Sequence, residues 1–460
     1  MKMRLIVIIN MVLLLAAKPC FSQTWLPVGD GIGCHQAERV HDISIAYDNS
    51  KLLIAGFIIQ NGLCDTMRTV LNYNGVEFQS IATSTIGTES TLAIEYNGNI
   101  YCSGFLVSQP DPNMNFNIKT EEGIWDTVPH GYDGSAQDYF VRDGIVYLAG
   151  SFSTCGSIPC DLVCSYDGQQ VSPYYTGAQA SGGGYAIEEY QDTIFVAGSY
   201  TAPNGLHTQG YSNCSKIVNG QLERVGQGFH NSGAFYDMEQ YDGKLFMGGA
   251  SSAYGITGLH TIYYYENGQL HTLPTEPNNV VNAIKAYNGG LFVAGDFTEI
   301  GDMPCNNIAR WDGETWTCLN HEELQFIWYT IKDIEIWNDT LYIGGGFDHI
   351  GDTELKRIAK LDMALSEAFP VNITEQQRQE LKLNIYPNPA KHELNITLPI
   401  GASAKDVIGV YDMHGRLIQE QVVGKYGGIL SVDIQHLSSG MYVLRYQGRE
   451  VVLTQSFIKE

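Results

Sequence analysis

A short segment that occurs seven times is the feature that most limits how this chain can fold. In each copy a Leu, Ile or Val is followed, usually after an aromatic residue, by a small residue and a glycine. The seven glycines are Gly56, Gly104, Gly150, Gly198, Gly249, Gly295 and Gly345. They are spaced by 48, 46, 48, 51, 46 and 50 residues. A period near 48 with several short strand patterns per copy is typical of β-propeller blades. We therefore expect an all-β, seven-bladed propeller over residues 23–365.

The sixth copy, residues 282–319, shows the pattern of one blade most completely. It contains two pairs of apolar runs, and each pair is separated by a turn dipeptide, Asn288-Gly289 in the first and Asp312-Gly313 in the second. Asn-Gly and Asp-Gly are strong hairpin signals, because a type I′ turn needs positive φ at both central residues. Two such hairpins make four strands, the size of one blade.

The seventh copy ends without a fourth strand. Residues 24–29, which precede the first copy, resemble the fourth strand at residues 315–319. We expect the N-terminal segment to complete the last blade, because this closes the ring and removes exposed sheet edges. The alternative is an open stack of hairpins with two unprotected edges.

Charge and the N-terminal segment limit where the protein acts. Residues 1–22 have a basic start and an apolar run, which predicts a secretory signal peptide. The chain carries 26 basic and 50 acidic residues, a net charge of −24. Such a surface repels phosphate backbones and anionic lipids, so we expect neither nucleic-acid binding nor direct membrane insertion. We expect a secreted or surface-attached monomer.

Ten cysteines become nine once Cys20 is removed with the signal peptide. Export permits disulfides, and the odd number leaves at least one cysteine unpaired. Cys305 and Cys318 flank the Asp312-Gly313 hairpin and form the best disulfide candidate. Cys155, Cys160 and Cys164 lack a CxxC spacing and a nearby histidine, so a loop disulfide is favoured over a zinc site.

One polar or aromatic residue stands near the start of each predicted innermost strand. The set is Asp42, Thr91, Asp138, Tyr185, Asp237, Asn282 and Asp333. In a closed ring these side chains converge on one mouth of the central channel, our candidate ligand site. The carboxylates and the amide have the oxygens that Ca²⁺ requires, whereas the alternative is that each side chain bonds backbone at the entrance of its own strand.

The C-terminal segment has a strand pattern of its own. Residues 366–381 read as a solvated linker, and short alternating strands over residues 382–460 predict an Ig-like β-sandwich. Its characteristic residues include Tyr386, Pro387, Asn388, Pro389, Gly415, Arg416, Gly440 and Lys459. On these residues the segment resembles the type A C-terminal sorting domain of the type IX secretion system of Bacteroidota. The resemblance implies passage through the inner membrane and then export by the type IX machinery, after which the cargo is released or joined to surface lipopolysaccharide.

Residues 24–364 are similar to kelch-like propellers, whose shared motifs serve turns and packing. Zinc-protease, nucleophile-elbow and P-loop motifs are absent from the sequence. Tyrosines in predicted loops suit recognition of sugars or proteins. We therefore favour a non-enzymatic module that binds glycan or protein and needs no cofactor, calcium aside. The alternative is a secreted polysaccharide lyase or hydrolase that works at the propeller mouth.

Overall fold

A computed structural model describes most of the chain. The described residues are 24–29, 31–32, 39–46, 49–59, 67–81, 87–106, 115–119, 125–174, 181–201, 213–320, 324–362, 365, 369, 383–398, 406–411, 417–423, 429–447 and 452–460. The predicted signal peptide lies outside them. Within these ranges the regular elements are all β-strands, and none of the described segments is a helix of the length and apolarity that a membrane span requires.

The described residues between 24 and 362 contain 33 strands. They are β1 (Trp25–Pro27), β2 (Arg39–Ile45), β3 (Leu52–Ile59), β4 (Met67–Tyr73), β5 (Phe78–Ser80), β6 (Gly87–Tyr96), β7 (Asn99–Leu106), β8 (Phe116–Lys119), β9 (Trp125–Thr127), β10 (Ser135–Arg142), β11 (Ile145–Ser151), β12 (Thr154–Cys155), β13 (Ile158–Pro159), β14 (Leu162–Tyr166), β15 (Val171–Pro173), β16 (Ser181–Tyr190), β17 (Thr193–Thr201), β18 (Cys214–Val218), β19 (Gln221–Arg224), β20 (Phe229–Tyr241), β21 (Lys244–Ala253), β22 (His260–Glu266), β23 (Gln269–Thr272), β24 (Val281–Tyr287), β25 (Gly290–Gly295), β26 (Glu299–Ile300), β27 (Met303–Pro304), β28 (Ile308–Trp311), β29 (Trp316–Cys318), β30 (Leu324–Trp337), β31 (Thr340–Ile350), β32 (Thr353–Glu354) and β33 (Ile358–Leu361).

Twenty-eight of these strands form seven antiparallel sheets that follow one another along the chain, whereas β12-β13 and β26-β27 form separate two-stranded sheets and β32 pairs with β31. In strand order, sheets one to seven are β2-β3-β4-β5, β6-β7-β8-β9, β10-β11-β14-β15, β16-β17-β18-β19, β20-β21-β22-β23, β24-β25-β28-β29 and β30-β31-β33-β1. The first strand of each sheet contacts the first strand of the next, and β30 of sheet seven contacts β2 of sheet one. The arrangement is therefore propeller-like. We call the space enclosed by these seven innermost strands the central channel.

The N-terminal strand joins the last sheet, as the sequence predicts. β1 pairs with β33 in the register Trp25↔Leu361, Leu26↔Lys360 and Pro27↔Ala359. Trp25 is 4% exposed and donates a hydrogen bond from Nε1 to the carbonyl oxygen of Leu319 in sheet six, at 3.3 Å. Trp25 thus belongs to the strand that completes sheet seven, and its side chain also bonds sheet six.

Each of the seven repeated glycines lies opposite a β-bulge. The residue paired with the glycine is followed by a register shift that leaves one residue of the innermost strand unpaired. We call these unpaired residues the bulge residues; they are His41, Thr91, Gln137, Tyr185, Tyr236, Asn282 and Lys332. A Cβ atom added to Gly56 would lie 2.2 Å from the carbonyl oxygen of Arg39. Glycine is needed here because the two backbones approach too closely for a side chain.

We expect Gly295→Ala to lower the free energy of unfolding by about 1–3 kcal/mol, the usual cost of overpacking. The new Cβ would lie 2.1 Å from the carbonyl oxygen of Val280, so the bulge at Asn282 would have to shift. Chemical denaturation of the full chain measures the change. Gly440→Ala is the matched control, because its Cβ would meet only Tyr442 at 3.8 Å. Equal stability of Gly295→Ala and the wild type would contradict this explanation of the repeat.

Tight turns connect the first and second strands of each sheet at the end far from the bulges. In sheets two to seven these connections have two residues, both with positive φ, as in Asn288 at 48° and Gly289 at 66°. The prediction of a type I′ turn is confirmed there. It is wrong for Asp312-Gly313, where Trp311 pairs with Trp316 and leaves a four-residue loop. The Asp312 carboxylate accepts hydrogen bonds from the amides of Glu314 and Thr315 in that loop, which stabilises it instead.

The C-terminal part contains two further sheets. Their strands are β34 (Asn384–Tyr386), β35 (Glu393–Thr397), β36 (Val407–Tyr411), β37 (Leu417–Val422), β38 (Ile429–Asp433), β39 (Gly440–Gln447) and β40 (Val452–Lys459). The sheet orders are β34-β35-β38 and β37-β36-β39-β40. A single apolar cluster that includes Leu394, Val410 and Phe457 is buried by residues of both sheets.

The segment between these two parts contacts sheet six. Phe369 lies in the predicted linker, and its ring centroid is 4.7 Å from the guanidinium carbon of Arg310. The side-chain amide of Asn288 donates a hydrogen bond to the carbonyl oxygen of Phe369 at 2.8 Å. Leu365 is fully buried. The chain therefore remains attached to the sheets as far as residue 369, beyond the end expected from the sequence.

Candidate binding site at the mouth of the central channel

The bulges lie at the end of the sheets that carries the longest connections. Between the second and third long strands of each sheet, the connections have from 6 residues in sheet five to 12 residues in sheets four and six. The two-residue turns lie at the opposite end. Long connections on a rigid scaffold are where proteins usually place binding residues. We call this end of the channel the mouth.

The seven residues predicted from the sequence occupy two different positions at the mouth. Thr91, Tyr185 and Asn282 are bulge residues, whereas the four aspartates each follow a bulge residue. The aspartates are Asp42, Asp138, Asp237 and Asp333, which we call the channel aspartates. The one-residue shift of a β-bulge separates the two groups. It also shows in the distance to the next turn, which is six residues for the three bulge residues and five for Asp138, Asp237 and Asp333.

The channel aspartates join sheets one, three, five and seven to the next sheet through backbone amides. One carboxylate oxygen accepts from the next sheet: Asp138 from Ile187 N at 2.8 Å, Asp237 from Ile284 N at 2.6 Å, and, more weakly, Asp42 from Ala93 N at 3.2 Å. Asp333 of sheet seven accepts from Ile43 N of sheet one at 2.5 Å, which closes the ring. The expected bonds within the same strand also form for three of them, for example from Tyr139 N to Asp138 at 2.7 Å.

In two of the remaining sheets a side chain also bonds the backbone of the next sheet, but it donates to a carbonyl oxygen and does not accept from an amide. The Thr91 hydroxyl donates to the carbonyl oxygen of Ala136 at 2.5 Å. The Asn282 side-chain amide donates to the carbonyl oxygen of Ile331 at 3.0 Å and to Asp296 Oδ1 at 3.3 Å. Tyr185 instead contacts Tyr236 of the next sheet through its ring. Most of the predicted set therefore has a structural role between sheets.

Burial raises the pKa of every channel aspartate, and their mutual repulsion adds to this effect. The pKa of Asp138 rises to about 7 through burial and the negative charges of Glu188 and Asp333. The pKa of Asp42 lies well above its usual range because of burial and the charges of Asp333 and Asp138. Asp42 and Asp138 belong to sheets one and three, so these carboxylates interact across the channel. The channel is therefore lined by carboxyl groups that keep their protons to a higher pH than isolated carboxyl groups do.

The geometry gives the calcium prediction no support. Among the described residues, the only group of three His, Cys, Asp or Glu ligand atoms within 4.8 Å of one another is Cys155, Cys160 and Cys164. Oxygens of the channel aspartates already accept backbone amides. Ca²⁺ requires six to eight oxygen ligands at about 2.3–2.6 Å, and these carboxylates are not gathered in that way.

Two bulge residues that the sequence analysis missed, Tyr236 and Lys332, form a stack with Tyr185 at the mouth. The rings of Tyr185 and Tyr236 are parallel within 2°, with centroids 5.6 Å apart. Lys332 Nζ lies 5.2 Å from the centroid of Tyr236. Lys332 belongs to sheet seven and Tyr236 to sheet five, so this contact spans the position of sheet six. The stack of Lys332, Tyr236 and Tyr185 therefore lies across the channel opening.

A second group at the mouth contains a histidine and two charged residues. His41 Nε2 forms a short hydrogen bond with Glu89 Oε1, and Arg39 donates to the same oxygen from Nε at 2.9 Å. The hydrogen bond with His41, together with the bond and charge of Arg39, lowers the pKa of Glu89 to about 2 although burial opposes this. A clue was present in the sequence, because His41 and Lys332 directly precede two of the predicted aspartates.

The disulfide prediction is confirmed for Cys305 and Cys318, which are bonded. Cys155, Cys160 and Cys164 form one sulfur cluster, as described below. Among the described residues, Cys102 and Cys214 are buried free thiols.

The predicted sorting residues hold the end of the chain in place. The Asn388 amide donates to the carbonyl oxygen of Ser456 at 3.3 Å and accepts from the amide of Ile458 at 2.9 Å. Asn388 thus covers the outer edge of β40, where unpaired backbone groups would otherwise invite association. Gly440 opens β39 and Lys459 closes β40. Gly415 and Arg416 lie outside the described residues.

The chain is similar at low sequence identity to several solved structures. It is 12% identical to PorZ, a surface component of the type IX secretion system of Porphyromonas gingivalis, over 95% of this chain and 85% of that one, with a TM-score of 0.25. It is 12% identical to the β-propeller domain of the Trilobed protease from Pyrococcus furiosus, over 73% and 98%, with a TM-score of 0.40. For Saccharomyces cerevisiae Sqt1 the identity is 9%, the coverage 94% and 99%, and the TM-score 0.37. Likenesses of this size do not extend to function.

Comparison with protein families gives a clearer result for the end of the chain. No curated protein sequence matches the chain. Residues 384–460 match the family described as the secretion system C-terminal sorting domain. The match covers the two C-terminal sheets and includes Asn388, whose side chain bonds the edge strand β40. This sorting domain indicates that the chain is exported by the type IX secretion system and interacts with its machinery.

Proposed function

We propose that the protein is an exported seven-bladed, kelch-like propeller that binds a glycan at the mouth of its central channel and does not act as an enzyme. The observation that carries this proposal is the stack of Lys332, Tyr236 and Tyr185 across the opening. Tyrosine rings offer flat apolar faces with a polar tip, which suits the faces of sugar rings. Gln137, the bulge residue of sheet three, carries a side-chain amide of the kind that suits sugar hydroxyls.

The domain organisation that accompanies this function follows the sequence expectations. We place a signal peptide at residues 1–22, the propeller at 23–365, a linker at 366–381 and an Ig-like sorting domain at 382–460. The cyclic contacts of the seven innermost strands support the propeller. Because Phe369 contacts sheet six, the part of the linker that is free of the propeller is shorter than residues 366–381. The mature protein is a monomer, released or attached at the cell surface.

A glycan array probed with the full-length chain tests the binding function. We expect a defined set of glycans to bind, and Tyr236→Ala to weaken their binding about tenfold or more, because central aromatic anchors dominate such sites. Tyr264→Ala is the matched control, since this half-buried tyrosine lies on the third strand of sheet five and stacks on His271. Unchanged binding by Tyr236→Ala, or no glycan bound at all, would contradict the proposal.

A polysaccharide lyase or hydrolase is the second candidate function. It is favoured by the pair of His41 and Glu89 at the mouth, because a carboxylate that orients an imidazole is a common general-base arrangement. Incubating each bound glycan with the protein and measuring reducing ends or unsaturated products separates the two functions. If turnover occurs, His41→Ala should reduce it by about a hundredfold or more. Binding without product supports the binding module.

A further inference from the structure

Cys155, Cys160 and Cys164 form a buried cluster of three sulfur atoms. The three Sγ atoms all lie within 4.8 Å of one another, so Cys155 can bond to either of the other two. The sulfur atoms of Cys160 and Cys164 are 3.6 Å apart. Cys155 and Cys164 are fully buried, and Cys160 is 7% exposed. Because one sulfur atom can form only one disulfide, the two bonds exclude each other, and each leaves a third cysteine as a thiol beside the bond.

We propose that these three cysteines share one disulfide that exchanges between the pairings Cys155–Cys160 and Cys155–Cys164. In the exchange, the Cys164 thiol loses its proton and the thiolate attacks Cys155 Sγ. The Cys155–Cys164 bond forms, the Cys155–Cys160 bond breaks, and the electron pair leaves on Cys160 Sγ, which takes up a proton. The step involves no net oxidation. The first disulfide requires removal of two electrons and two protons, which a protein disulfide of the thiol–disulfide oxidoreductase class accepts as it is reduced to two thiols.

The surroundings of the cluster favour a disulfide with one thiol over a metal ion. The cysteines belong to an apolar cluster that includes Phe116, Tyr132 and Phe152. Three thiolates around a metal ion would leave net negative charge in this core, and burying such charge without a partner is costly. A disulfide and a protonated thiol are both neutral. Within the part of the chain that the structure describes, the cluster also has three donors and not the four of a structural zinc site.

The two pairings differ in what they hold together. Cys155 lies in β12, and Cys160 directly follows β13, so their bond closes the β12–β13 hairpin on itself. Cys164 lies in β14, so the bond from Cys155 to Cys164 ties this hairpin to sheet three. The hairpin belongs to the connection between β11 and β14, which lies at the mouth end of the sheet. The exchange thus determines whether a loop of the binding face is covalently fixed to its sheet.

Weaker contacts hold the hairpin in both pairings. The amide of Gly156 donates to the carbonyl oxygen of Gly131 at 2.7 Å. The Asp133 carboxylate accepts hydrogen bonds from the amides of Ser153 and Thr154, each at 2.7 Å. The hairpin therefore stays close to the sheet after the bond to Cys164 breaks, which keeps the three sulfur atoms together and allows the reverse step.

Peptide mapping of the oxidised full-length chain tests the proposal directly. Free thiols are blocked at acidic pH, the chain is digested without reduction, and linked peptides are identified by mass spectrometry. We expect two populations, one with blocked Cys160 and the other with blocked Cys164. Their ratio should change on warming and return on cooling, faster at alkaline pH, because the thiolate is the attacking species. Cys305–Cys318 is the internal control and should give one pairing under all conditions.

Each of two variants restricts the cluster to one of the two disulfide pairings. Cys160→Ser permits only Cys155–Cys164, and Cys164→Ser permits only Cys155–Cys160. Hydrogen exchange at the Gly156 amide should be on the order of tenfold faster in Cys164→Ser, since the hairpin then opens locally more often. A single pairing in the unmodified chain, three blocked cysteines, a link from the cluster to another cysteine, or a bound zinc ion would each overturn the proposal.

Discussion

Trp25→Ala is expected to lower the free energy of unfolding by about 3–5 kcal/mol, in the range found for large buried aromatic residues. Trp25 is 4% exposed, and its Nε1 donates to the carbonyl oxygen of Leu319. The substitution leaves a cavity between sheets six and seven and weakens the pairing of β1 with β33. The loss of unfolding free energy should therefore include the part that the pairing of β1 with β33 contributes by closing the ring.

Chemical denaturation of the full chain, followed through the propeller transition, measures this loss. Trp316→Ala is a suitable control, because Trp316 lies half-buried on the outer strand β29 and bonds the carbonyl oxygen of Thr275. We expect the control to cost clearly less. A Trp25→Ala loss no larger than that of Trp316→Ala would show that the N-terminal strand does not contribute as its pairing implies.

The stability of the protein should fall as the pH rises from about 4 to about 7. Burial and mutual repulsion raise the pKa of Asp138 and of Asp333 to about 7, and the pKa values of Asp42 and Asp237 lie well above their usual range. A carboxyl with a raised folded-state pKa binds its proton more tightly in the folded state. It therefore stabilises the fold below the ordinary aspartate pKa, and this contribution is lost as the pH rises through the folded-state value. Each such proton contributes a slope of roughly 1.4 kcal/mol per pH unit between the two pKa values.

The free energy of unfolding, measured at several pH values, tests this expectation. Asp138→Asn should flatten the decline between about pH 4 and 7, because one of the protons that drive it is removed. Asp302→Asn, at an exposed turn, should leave the slope unchanged. At lower pH the trend reverses, since Glu89 has its pKa lowered to about 2 by its bonds with His41 and Arg39, and protonating it removes their stabilisation. Stability that rises steadily from about pH 4 to 7 would contradict the assignment.

Much of the architecture could be predicted because glycine and turn dipeptides leave clear marks in a sequence. The repeated glycines correspond to close backbone contacts, as between Gly56 and the carbonyl oxygen of Arg39. Asn288-Gly289 adopts the positive φ angles that its residues predict. The missing fourth strand of the last copy pointed to residues 24–29, which do pair with β33.

The site was harder to predict, because side-chain positions at the mouth depend on a bulge. The bulge residues are not of one residue type, so Asn282 and Asp333 look equivalent although they occupy different positions. The one trace of the bulge is the distance to the next turn, six residues for Asn282 and five for Asp333. The stack of Lys332 on Tyr236 joins residues of nonadjacent sheets, and no local pattern encodes such a contact. The cyclic bonds of the channel aspartates depend on closure of the whole ring.

The pairing of β1 with β33 also bears on the order in which the chain can fold. Trp25 pairs with Leu361, so this contact joins residues 361 − 25 = 336 positions apart. Contacts of such large sequence separation form late, because closing a long loop costs entropy before the contact is made. Sheets one to six can each form from adjacent segments, whereas sheet seven lacks a strand until the first and last segments meet. If the chain crosses a membrane from its N-terminus, the ring of sheets therefore stays open until the last repeat has crossed. Sheet seven can then form only in a chain that has crossed as far as β33.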